Sequence, residues 1–307
     1  MSFLYVFDYR KASMSNTINE SNLMILIEKN IKGWIECKRE PKYFYQDFAD
    51  LLRTFDSIFN HHCYYFGYLA CFVNLIRETD AHLDDRGSLI DYLKEWTFSQ
   101  WQAELRRYKD RYQYQLRQHR YHENKNRLEI RNRVLELTRQ YRTLLVVRVD
   151  LAYLKQFLFH KTIQSFHNDL STFRYQIAKN KDELFNGLIF YAWAAEQGEE
   201  DKGYHCHALL IFNGAKRYDG KGIAQQVGEL WQRLTHEQGA YFNCNSPAYL
   251  RSYEKQGKTG IGMIYSAVPV QVRNLLTVVE YLAQPEKEQY LRVKTSHGMR
   301  TFGMSQH

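Results

Sequence analysis

Apolar residues recur at helical spacing through the first third of the chain. Residues 41–59 carry apolar side chains at intervals of three and four, and residues 87–108 repeat Leu and Trp in the same way behind Ser88, a candidate N-cap. The most apolar window, 64–76, predicts a buried helix, because it is shorter than the roughly 20 residues that cross a bilayer. We therefore expect a mostly α-helical N-terminal region.

The pattern changes to β-prone runs after residue 142. These runs predict four strands, separated by segments with helical spacing. The predicted strands are 143–151, 185–196, 204–214 and 259–268, and the predicted helices are 153–180, 222–239 (closed by Gly239) and 269–284. A short polar turn joins the second and third strands as an antiparallel hairpin. This order predicts an α+β domain around a central antiparallel sheet.

The composition is that of a folded protein with reduced cysteines. Of the 307 residues, 44% are hydrophobic and 25% are charged, which argues against wholesale disorder. The 5 cysteines are odd in number and form no CxxC pair, which favours a reducing compartment and no thiolate zinc site. Residues 1–10 lack the basic head and apolar stretch of a signal peptide. We therefore expect a cytoplasmic protein that does not bind membranes.

Positive charge is concentrated in residues 106–142. This segment holds 12 Lys or Arg and 4 Asp or Glu, a balance of +8 that equals the net charge of the whole chain. It contains no Pro or Gly and interleaves tyrosines with arginines, which predicts one or two helices with a basic, aromatic surface. Such a surface suits nucleic acid, because arginines neutralise phosphates and rings stack on bases. We expect Arg106, Arg107, Arg111 and Arg117 to contact DNA; the alternative is a solvated helix that joins two domains.

Two histidines stand one residue apart in the third predicted strand. Alternate side chains of a strand share a face, so His205 and His207 project side by side. Glu196 ends the preceding strand, and the hairpin brings it back beside them. Two imidazoles and one carboxylate with open positions form a catalytic type of metal site, and a metal there can polarise a phosphodiester. An HxH pair alone is more often packed or solvated, but the carboxylate on the adjacent strand favours a metal.

The C-terminal half resembles a known family. His205, Cys206 and His207 match the histidine–hydrophobe–histidine signature of the HUH endonuclease superfamily. Residues 143–305 are similar to the inovirus-type replication-initiator family carried by prophages, also labelled the YagK/YfjJ C-terminal domain. The similar stretches, in the order that the family shows, are VVRVDL (146–151), WAAEQGEEDKGYHCHALLIFNG (193–214), GELW (228–231), GIGMI (260–264), EYLAQPEKEQYLRVK (280–294) and RTFGMS (300–305).

The resemblance implies an enzyme. Such proteins nick single-stranded DNA at an origin by attack of a tyrosine on the scissile phosphate, leaving a 5′-phosphotyrosine and a free 3′-OH that primes rolling-circle replication. It implies an RRM-like fold with the HUH strand at its centre and Tyr281 as the nucleophile. Glu196, His205 and His207 become ligands of Mg²⁺ or Mn²⁺, and the imidazoles favour Mn²⁺. The implied partners are single-stranded or hairpin origin DNA and a host helicase, since the chain has no GxxxxGK[ST] loop.

One position departs from the family pattern. The family usually shows Tyr, two residues and then Lys, but this chain has Gln284, and Lys287 is the nearest lysine that could hold the phosphate. Tyr290 lies close by as a rival nucleophile. Arg148 and Asp150 share one face of the first strand, where an ion pair is expected ahead of a role in orienting the site. Further expected phosphate contacts are Arg292, Lys294 and Arg300.

These features divide the chain into a helical N-terminal region, 1–140, and an HUH endonuclease domain, 141–307. The leading hypothesis is a metal-dependent DNA nickase and strand transferase that starts replication of a phage, prophage or similar mobile element. An inactive relative that binds DNA or RNA stays open because of Gln284, and a transposase or relaxase would use the same chemistry. A structural zinc module fits poorly, because the sequence near the HxH pair offers no third nitrogen or sulfur ligand.

Overall fold

A helical N-terminal part precedes an antiparallel sheet, as predicted, in the computed structural model, which describes residues 18–179, 183–199, 202–284 and 288–305. The α-helices in these ranges are α1 (Glu20–Glu36), α2 (Phe44–Asp56), α3 (Leu69–Glu78), α4 (Arg86–Lys94), α5 (Phe98–Arg106), α6 (Lys109–Gln140), α7 (Ile163–Lys179), α8 (Gly220–Leu234), α9 (Pro247–Glu254) and α10 (Pro269–Leu282). The strands are β1 (Tyr64–Tyr65), β2 (Thr143–Tyr153), β3 (Leu188–Gln197), β4 (Tyr204–Asn213), β5 (Gly239–Asn243), β6 (Gly262–Tyr265), β7 (Val293–Lys294) and β8 (Phe302–Met304).

Helices α1 to α5 enclose an aromatic core. Phe44 and Phe48 of α2 pack against Trp34 of α1, with ring centres 5.0 and 5.1 Å apart. Trp101 of α5 meets Phe48 edge to face at 5.2 Å. The apolar spacing seen in the sequence is therefore that of helices packed around one interior. The window 64–76 differs in its first residues, which form strand β1 before helix α3 begins.

The segment predicted as one helix over 87–108 is two helices. Asp85, and not Ser88, caps α4, because the Asp85 carboxylate accepts hydrogen bonds from the first backbone N–H groups of the helix. Thr97 then starts α5 with a capping box: its hydroxyl accepts from the Gln100 N–H, and the Gln100 side chain accepts from the Thr97 N–H. A local capping motif thus interrupts a run of apolar residues that otherwise has helical spacing.

One antiparallel sheet organises the C-terminal part. Its strand order is β5-β2-β4-β3-β8, and β6 pairs with β2 beside β5. The chain runs β2-α7-β3-β4-α8-β5, and the strand order places β2 and β4 inside the sheet. Strand β5 is absent from the sequence prediction. Helix α8 ends at Leu234, His236 and Glu237 take left-handed φ values of 53° and 62°, and Gly239 opens the strand, so it does not close the helix as predicted.

Different helices cover the two faces of the sheet. Odd-numbered side chains of β2, such as Val147 and Val149, lie in a core shared with α7 and α8. Even-numbered ones, such as Leu144 and Val146, lie in a second core with α6 and α10. We call this second side the site face; it comprises the even positions of β2 and β3 and the odd positions of β4. Its apolar half is covered by α6 and α10.

The helical part and the sheet share one core. The larger hydrophobic cluster runs from Leu23 of α1 to Met299, and β1 pairs with β7 in a small second sheet. The predicted boundary at residue 140 coincides with the end of α6, but packing continues across it. Over the ranges given above, no helix has both the length and the apolar character that a bilayer span needs.

Candidate metal centre

The site face ends in two histidines and a glutamate. The β3–β4 hairpin pairs Glu196 with His205 directly, and His207 lies opposite Ala194, one alternation further along. Glu196, His205 and His207 are all buried. Glu196 Oε2 lies 3.2 Å from His207 Nε2 and 3.7 Å from His205 Nε2. One ligand atom of each lies within 4.8 Å of the others, so this triad could hold a metal ion.

Each imidazole turns its Nδ1 atom away from the triad. His207 Nδ1 lies 2.6 Å from Asp150 Oδ1, and His205 Nδ1 lies 3.2 Å from the Gly203 carbonyl oxygen. An Nδ1–H donated to such an acceptor leaves the Nε2 lone pair facing Glu196, in the tautomer that a metal ion requires. The donor set therefore fits a divalent ion with two nitrogen ligands, one carboxylate ligand and open positions.

Charge around the triad favours a cation. Burial alone would raise the pKa of Asp150, but its hydrogen bonds and charge interactions with His207 and Arg148 lower it to about 2. Burial alone would lower the pKa of His207, but Asp150 and Glu196 raise it above its usual value. The negative charges of Asp150 and Glu196 thus favour positive charge at this position, whether it is a proton on His207 or a divalent ion that competes with that proton.

Arg148 and Asp150 form the expected ion pair and also reach the metal centre. Arg148 Nε lies 3.1 Å from Asp150 Oδ1, and Arg148 Nη2 lies 3.3 Å from His207 Nδ1. The register of β2 with β4 explains this, because it pairs Asp150 with His207. The ion pair therefore orients His207 as well, which is the role that the sequence analysis ranked second.

Tyr281 stands beside this network on α10. Its side chain is 44% exposed, and the Arg148 guanidinium lies 5.5 Å from the centre of its ring. Arg148 thus contacts Tyr281 on one side and His207 on the other. The resemblance named Tyr281 as the nucleophile, and its exposure is compatible with access by a DNA strand.

The rival tyrosine lies in a different environment. Tyr290 is buried, and its hydroxyl donates to the Glu28 carboxylate at 2.8 Å. Burial and the Glu28 charge raise the pKa of Tyr290 far above its usual range. A buried, protonated hydroxyl that is already engaged cannot reach a phosphate without rearrangement. Of these two tyrosines, Tyr281 is the better placed nucleophile.

Most of the basic segment, from Lys109 to Gln140, forms one long helix that passes the triad. Helix α6 has 32 residues, and its C-terminal half buries Val134 on the site face. Nearer its start, His119 and Glu123 line a small cavity together with Glu196 and Gln284. Burial and neighbouring positive charges lower the pKa of His119 to about 4. The sequence analysis missed His119 and Glu123: their spacing of four puts them on one helix face but does not show what that face contacts.

The predicted DNA-contacting arginines fall into two groups. Arg111 and Arg117 are exposed on α6. Arg106 and Arg107 are exposed at the end of α5, but each already has a partner. Arg106 donates to a backbone carbonyl of α1 at 3.0 Å, and Arg107 pairs with Glu104 at 2.7 Å. Arg111 and Arg117 are therefore the better placed of the four to meet a phosphate.

The predicted phosphate contacts near the C-terminus differ in exposure. Arg300 is exposed, and Lys294 lies half-buried on β7, where burial lowers its pKa. Arg292 does not fit the prediction, because it is buried and its Nε lies 3.3 Å from the Glu28 carboxylate. Its charge is already compensated inside the protein. Lys287 lies outside the described residues.

Comparison with known proteins identifies the part of the chain that contains the site. Residues 108–305 match the family model described as the YagK/YfjJ C-terminal domain. The match spans more than half of the chain, and it includes α6 as well as the sheet. No curated protein and no solved structure matches the chain.

Proposed function

The chain belongs to the YagK/YfjJ C-terminal domain family, and from this membership and the buried triad we propose that the protein nicks and joins single-stranded DNA. In this proposal it is an HUH endonuclease of the inovirus type that starts rolling-circle replication of a phage, prophage or similar mobile element. The observation that carries the proposal is the series of contacts from the triad through Arg148 to the exposed Tyr281.

The strand topology supports an RRM-like domain. The order β2-α7-β3-β4-α8-β5, with strands arranged β5-β2-β4-β3, is the split β-α-β arrangement of ferredoxin-like folds. The strand that carries the two histidines is central, which agrees with the implied position of the HUH strand. Helices α7 and α8 cover the opposite face, so the catalytic chemistry belongs on the site face.

In the proposed reaction the triad, Asp150 and Tyr281 have separate roles. Glu196, His205 and His207 hold Mg²⁺ or Mn²⁺, which when bound polarises the scissile phosphodiester and offsets its charge. Asp150 keeps His207 in the ligating tautomer. The Tyr281 oxygen attacks phosphorus, the bond from phosphorus to the 3′ oxygen breaks, and the 5′ phosphate stays on the tyrosine. The tyrosine loses its proton, and the departing 3′ oxygen takes one up.

The partners follow from this chemistry. The phosphotyrosine retains the energy of the broken ester, so a 3′-OH can reverse the attack and rejoin the strand. The substrate is single-stranded or hairpin origin DNA, whose backbone the exposed arginines of α6 neutralise. Unwinding is left to a host helicase. Two imidazole ligands favour Mn²⁺ over Mg²⁺.

A denaturing gel tests the proposal. With Mn²⁺ and single-stranded origin DNA, the protein is expected to form a covalent adduct that runs as a slower band. EDTA, His205→Ala and Tyr281→Phe should each abolish the band. Tyr265→Phe is the matched control, because Tyr265 is also an exposed tyrosine but lies on β6. Partial recovery of adduct formation by Glu196→Ala at high Mn²⁺ would further indicate that the Glu196 carboxylate binds the metal.

Other outcomes of this gel point elsewhere. A band that survives Tyr281→Phe and disappears in Tyr290→Phe would show that Tyr290 is the nucleophile. Cleavage that continues unchanged in EDTA would show that the reaction does not depend on a metal ion. No band on any single-stranded DNA favours the second candidate, a catalytically inactive DNA-binding protein, which Gln284 supports because it stands where the family usually has a lysine cation.

A further inference from the structure

Three exposed or half-exposed aromatic residues form a row at the sheet edge. Phe242 lies on β5, and Tyr249 and Tyr253 lie on α9. The ring centres of Phe242 and Tyr249 are 5.2 Å apart, and those of Tyr249 and Tyr253 are 4.9 Å apart. Phe242 is 50% exposed and Tyr253 is 38% exposed. We call these three residues the aromatic ladder. None of them belongs to the triad.

The aromatic ladder begins next to the metal centre. Phe242 on the edge strand β5 pairs with Asp150 on β2. Directly paired residues of antiparallel strands project on the same side of a sheet, so the Phe242 ring lies on the site face beside the carboxylate that holds His207. Tyr249 packs against the apolar cluster of that face, and its hydroxyl lies 3.1 Å from that of Tyr253. The row therefore leads from the metal centre outward along α9.

Positive charge accompanies the aromatic ladder. Residues 251–258, at the end of α9 and just beyond it, are all exposed, and they carry Arg251, Lys255 and Lys258 against a single acid, Glu254. Exposed rings combined with cations are the two components of surfaces that bind single-stranded nucleic acid, because rings stack on bases and cations follow the backbone. This charge complementarity favours nucleic acid over an apolar protein partner.

We propose that the aromatic ladder is a base-stacking track for the nucleotides next to the scissile phosphate. The inference rests on the proposed function for the identity of its ligand, single-stranded DNA. Bases that stack on the three rings set the distance between the bound strand and the triad, so the aromatic ladder positions the substrate without touching the reacting atoms. Bases in a duplex are already stacked on one another, so the track selects single strands.

Equilibrium binding tests the track without any cleavage. The full chain carrying Tyr281→Phe is titrated in EDTA with a fluorescent thymidine oligonucleotide, so that no covalent adduct forms. Adding Phe242→Ala or Tyr253→Ala should weaken binding by about 5- to 100-fold, the size of one lost stacking contact. Tyr253→Phe should bind as before, because the ring is retained. Tyr175→Ala is the matched control: Tyr175 is exposed on α7, which covers the opposite face, and its loss should leave affinity unchanged.

Photo-crosslinking provides an independent readout. Oligonucleotides with 5-iododeoxyuridine are expected to crosslink to the aromatic ladder, as located by mass spectrometry. Crosslinks that map only to the tyrosines of α6, or equal affinity of all the variants, would overturn the inference. So would a wild-type dimer that Phe242→Ala dissociates while DNA binding is unchanged, since the occupant would then be a second copy of the chain.

The two proposals fail in distinguishable ways. If wild-type protein forms the covalent adduct but the ladder variants bind DNA normally, the base-stacking track is wrong and the nicking function stands. If the ladder variants lose affinity and the crosslinks appear, but no adduct forms with Mn²⁺, the aromatic ladder binds single-stranded DNA by stacking and the nicking function is wrong.

Discussion

At the residue scale, Asp150 orients His207, one of the three residues that could hold a metal ion. Its carboxylate accepts hydrogen bonds from His207 Nδ1 at 2.6 Å and from Arg148 Nε at 3.1 Å. Although Asp150 is partly buried, these donors hold its pKa at about 2, so it stays ionised throughout the pH range in which histidine can ligate a metal. A charged acceptor on Nδ1 fixes the ring and makes Nε2 a stronger ligand.

Asp150→Asn is expected to weaken Mn²⁺ binding by about 10- to 100-fold, because an amide is a weaker acceptor and carries no charge. Isothermal titration calorimetry measures this without reference to activity. Asp169→Asn is the control, since Asp169 is also a partly buried carboxylate with two donors, Tyr153 and Lys161, but it lies beyond the opposite face. Equal Mn²⁺ affinity in the two variants would show that Asp150 does not contribute to metal binding.

At the scale of elements, α6 links the arginines that we propose bind DNA to the triad. Its C-terminal half is held on the site face by Ile130 and Val134 and by the contact of Arg131 with Glu280 of α10. Its N-terminal half extends past the triad with exposed cations. Tyr112 also anchors this half in the larger core, so the helix is held at both ends and presents Arg111 and Arg117 to solvent.

Replacing Arg111 and Arg117 together by Ala is expected to lower the slope of log affinity against log salt by about 1.4, because each phosphate contact on single-stranded DNA contributes about 0.7. Fluorescence anisotropy over a salt series measures this slope. Arg106→Ala with Arg107→Ala should change it less, since both side chains are already engaged. Arg39→Ala, an exposed arginine between α1 and α2, is the control. An unchanged slope for the Arg111 and Arg117 variant would show that these two arginines do not contact DNA phosphates.

A second element-scale contact ties α1 to α7. Glu20 Oε1 accepts hydrogen bonds from the Ile163 N–H at 2.7 Å and from the Tyr204 hydroxyl at 2.8 Å. Burial nevertheless raises the pKa of Glu20, so the folded state binds its proton more tightly than the unfolded chain does. The contribution of Glu20 to the free energy of unfolding therefore falls as pH rises from the usual carboxyl range through the raised pKa.

Glu20→Gln removes this charge and keeps an acceptor oxygen. The free energy of unfolding of the variant, relative to that of the wild type, is expected to be highest at neutral pH. This difference should shrink on acidification, where the wild-type carboxyl is protonated in both states. Urea denaturation followed by tryptophan fluorescence at several pH values measures the difference. Glu40→Gln, at an exposed glutamate, controls for general charge effects. A difference that does not vary with pH would contradict the role given to burial.

At the scale of the whole molecule, a buried polar network joins α1 to the segment that follows α10. Glu28 on α1 accepts a hydrogen bond from the Tyr290 hydroxyl and pairs with Arg292, 264 positions away. The side chains of Glu28 and Arg292 are only 2% and 9% exposed. A charge this deeply buried is costly unless it is paired. The network therefore makes the helical part and the segment after α10 depend on each other.

Glu28→Ala is expected to lower the free energy of unfolding by about 3 to 5 kcal/mol, because it leaves Arg292 buried without its carboxylate. Unfolding should remain one transition by circular dichroism and by tryptophan fluorescence, since the larger core spans both parts. Glu199→Ala is the control: it breaks the exposed pair with Lys29 and should cost about 1 kcal/mol or less. Two separate transitions in the wild type would contradict a shared core.

The sequence by itself determined the three residues of the triad and most of the local elements, although not β5 or the division of residues 87–108 into two helices. The strand period of two puts His205 and His207 on one face, and the short turn between β3 and β4 pairs Glu196 with His205. These relations depend only on neighbours along the chain, so periodicity and turn length are sufficient to predict them. The same holds for α6, whose 32 residues contain no helix-breaking Pro or Gly.

Only the tertiary structure decided what surrounds the triad. Asp150 meets His207 across 57 positions, α6 brings His119 and Glu123 to the cavity beside Glu196, and Arg292 is turned inward to Glu28. Local preferences act over a few residues, whereas the register of distant strands and the docking of a helix on a sheet are set by the burial of whole faces. A basic residue therefore looks the same in the sequence whether it faces DNA, as predicted for Arg117, or a buried carboxylate.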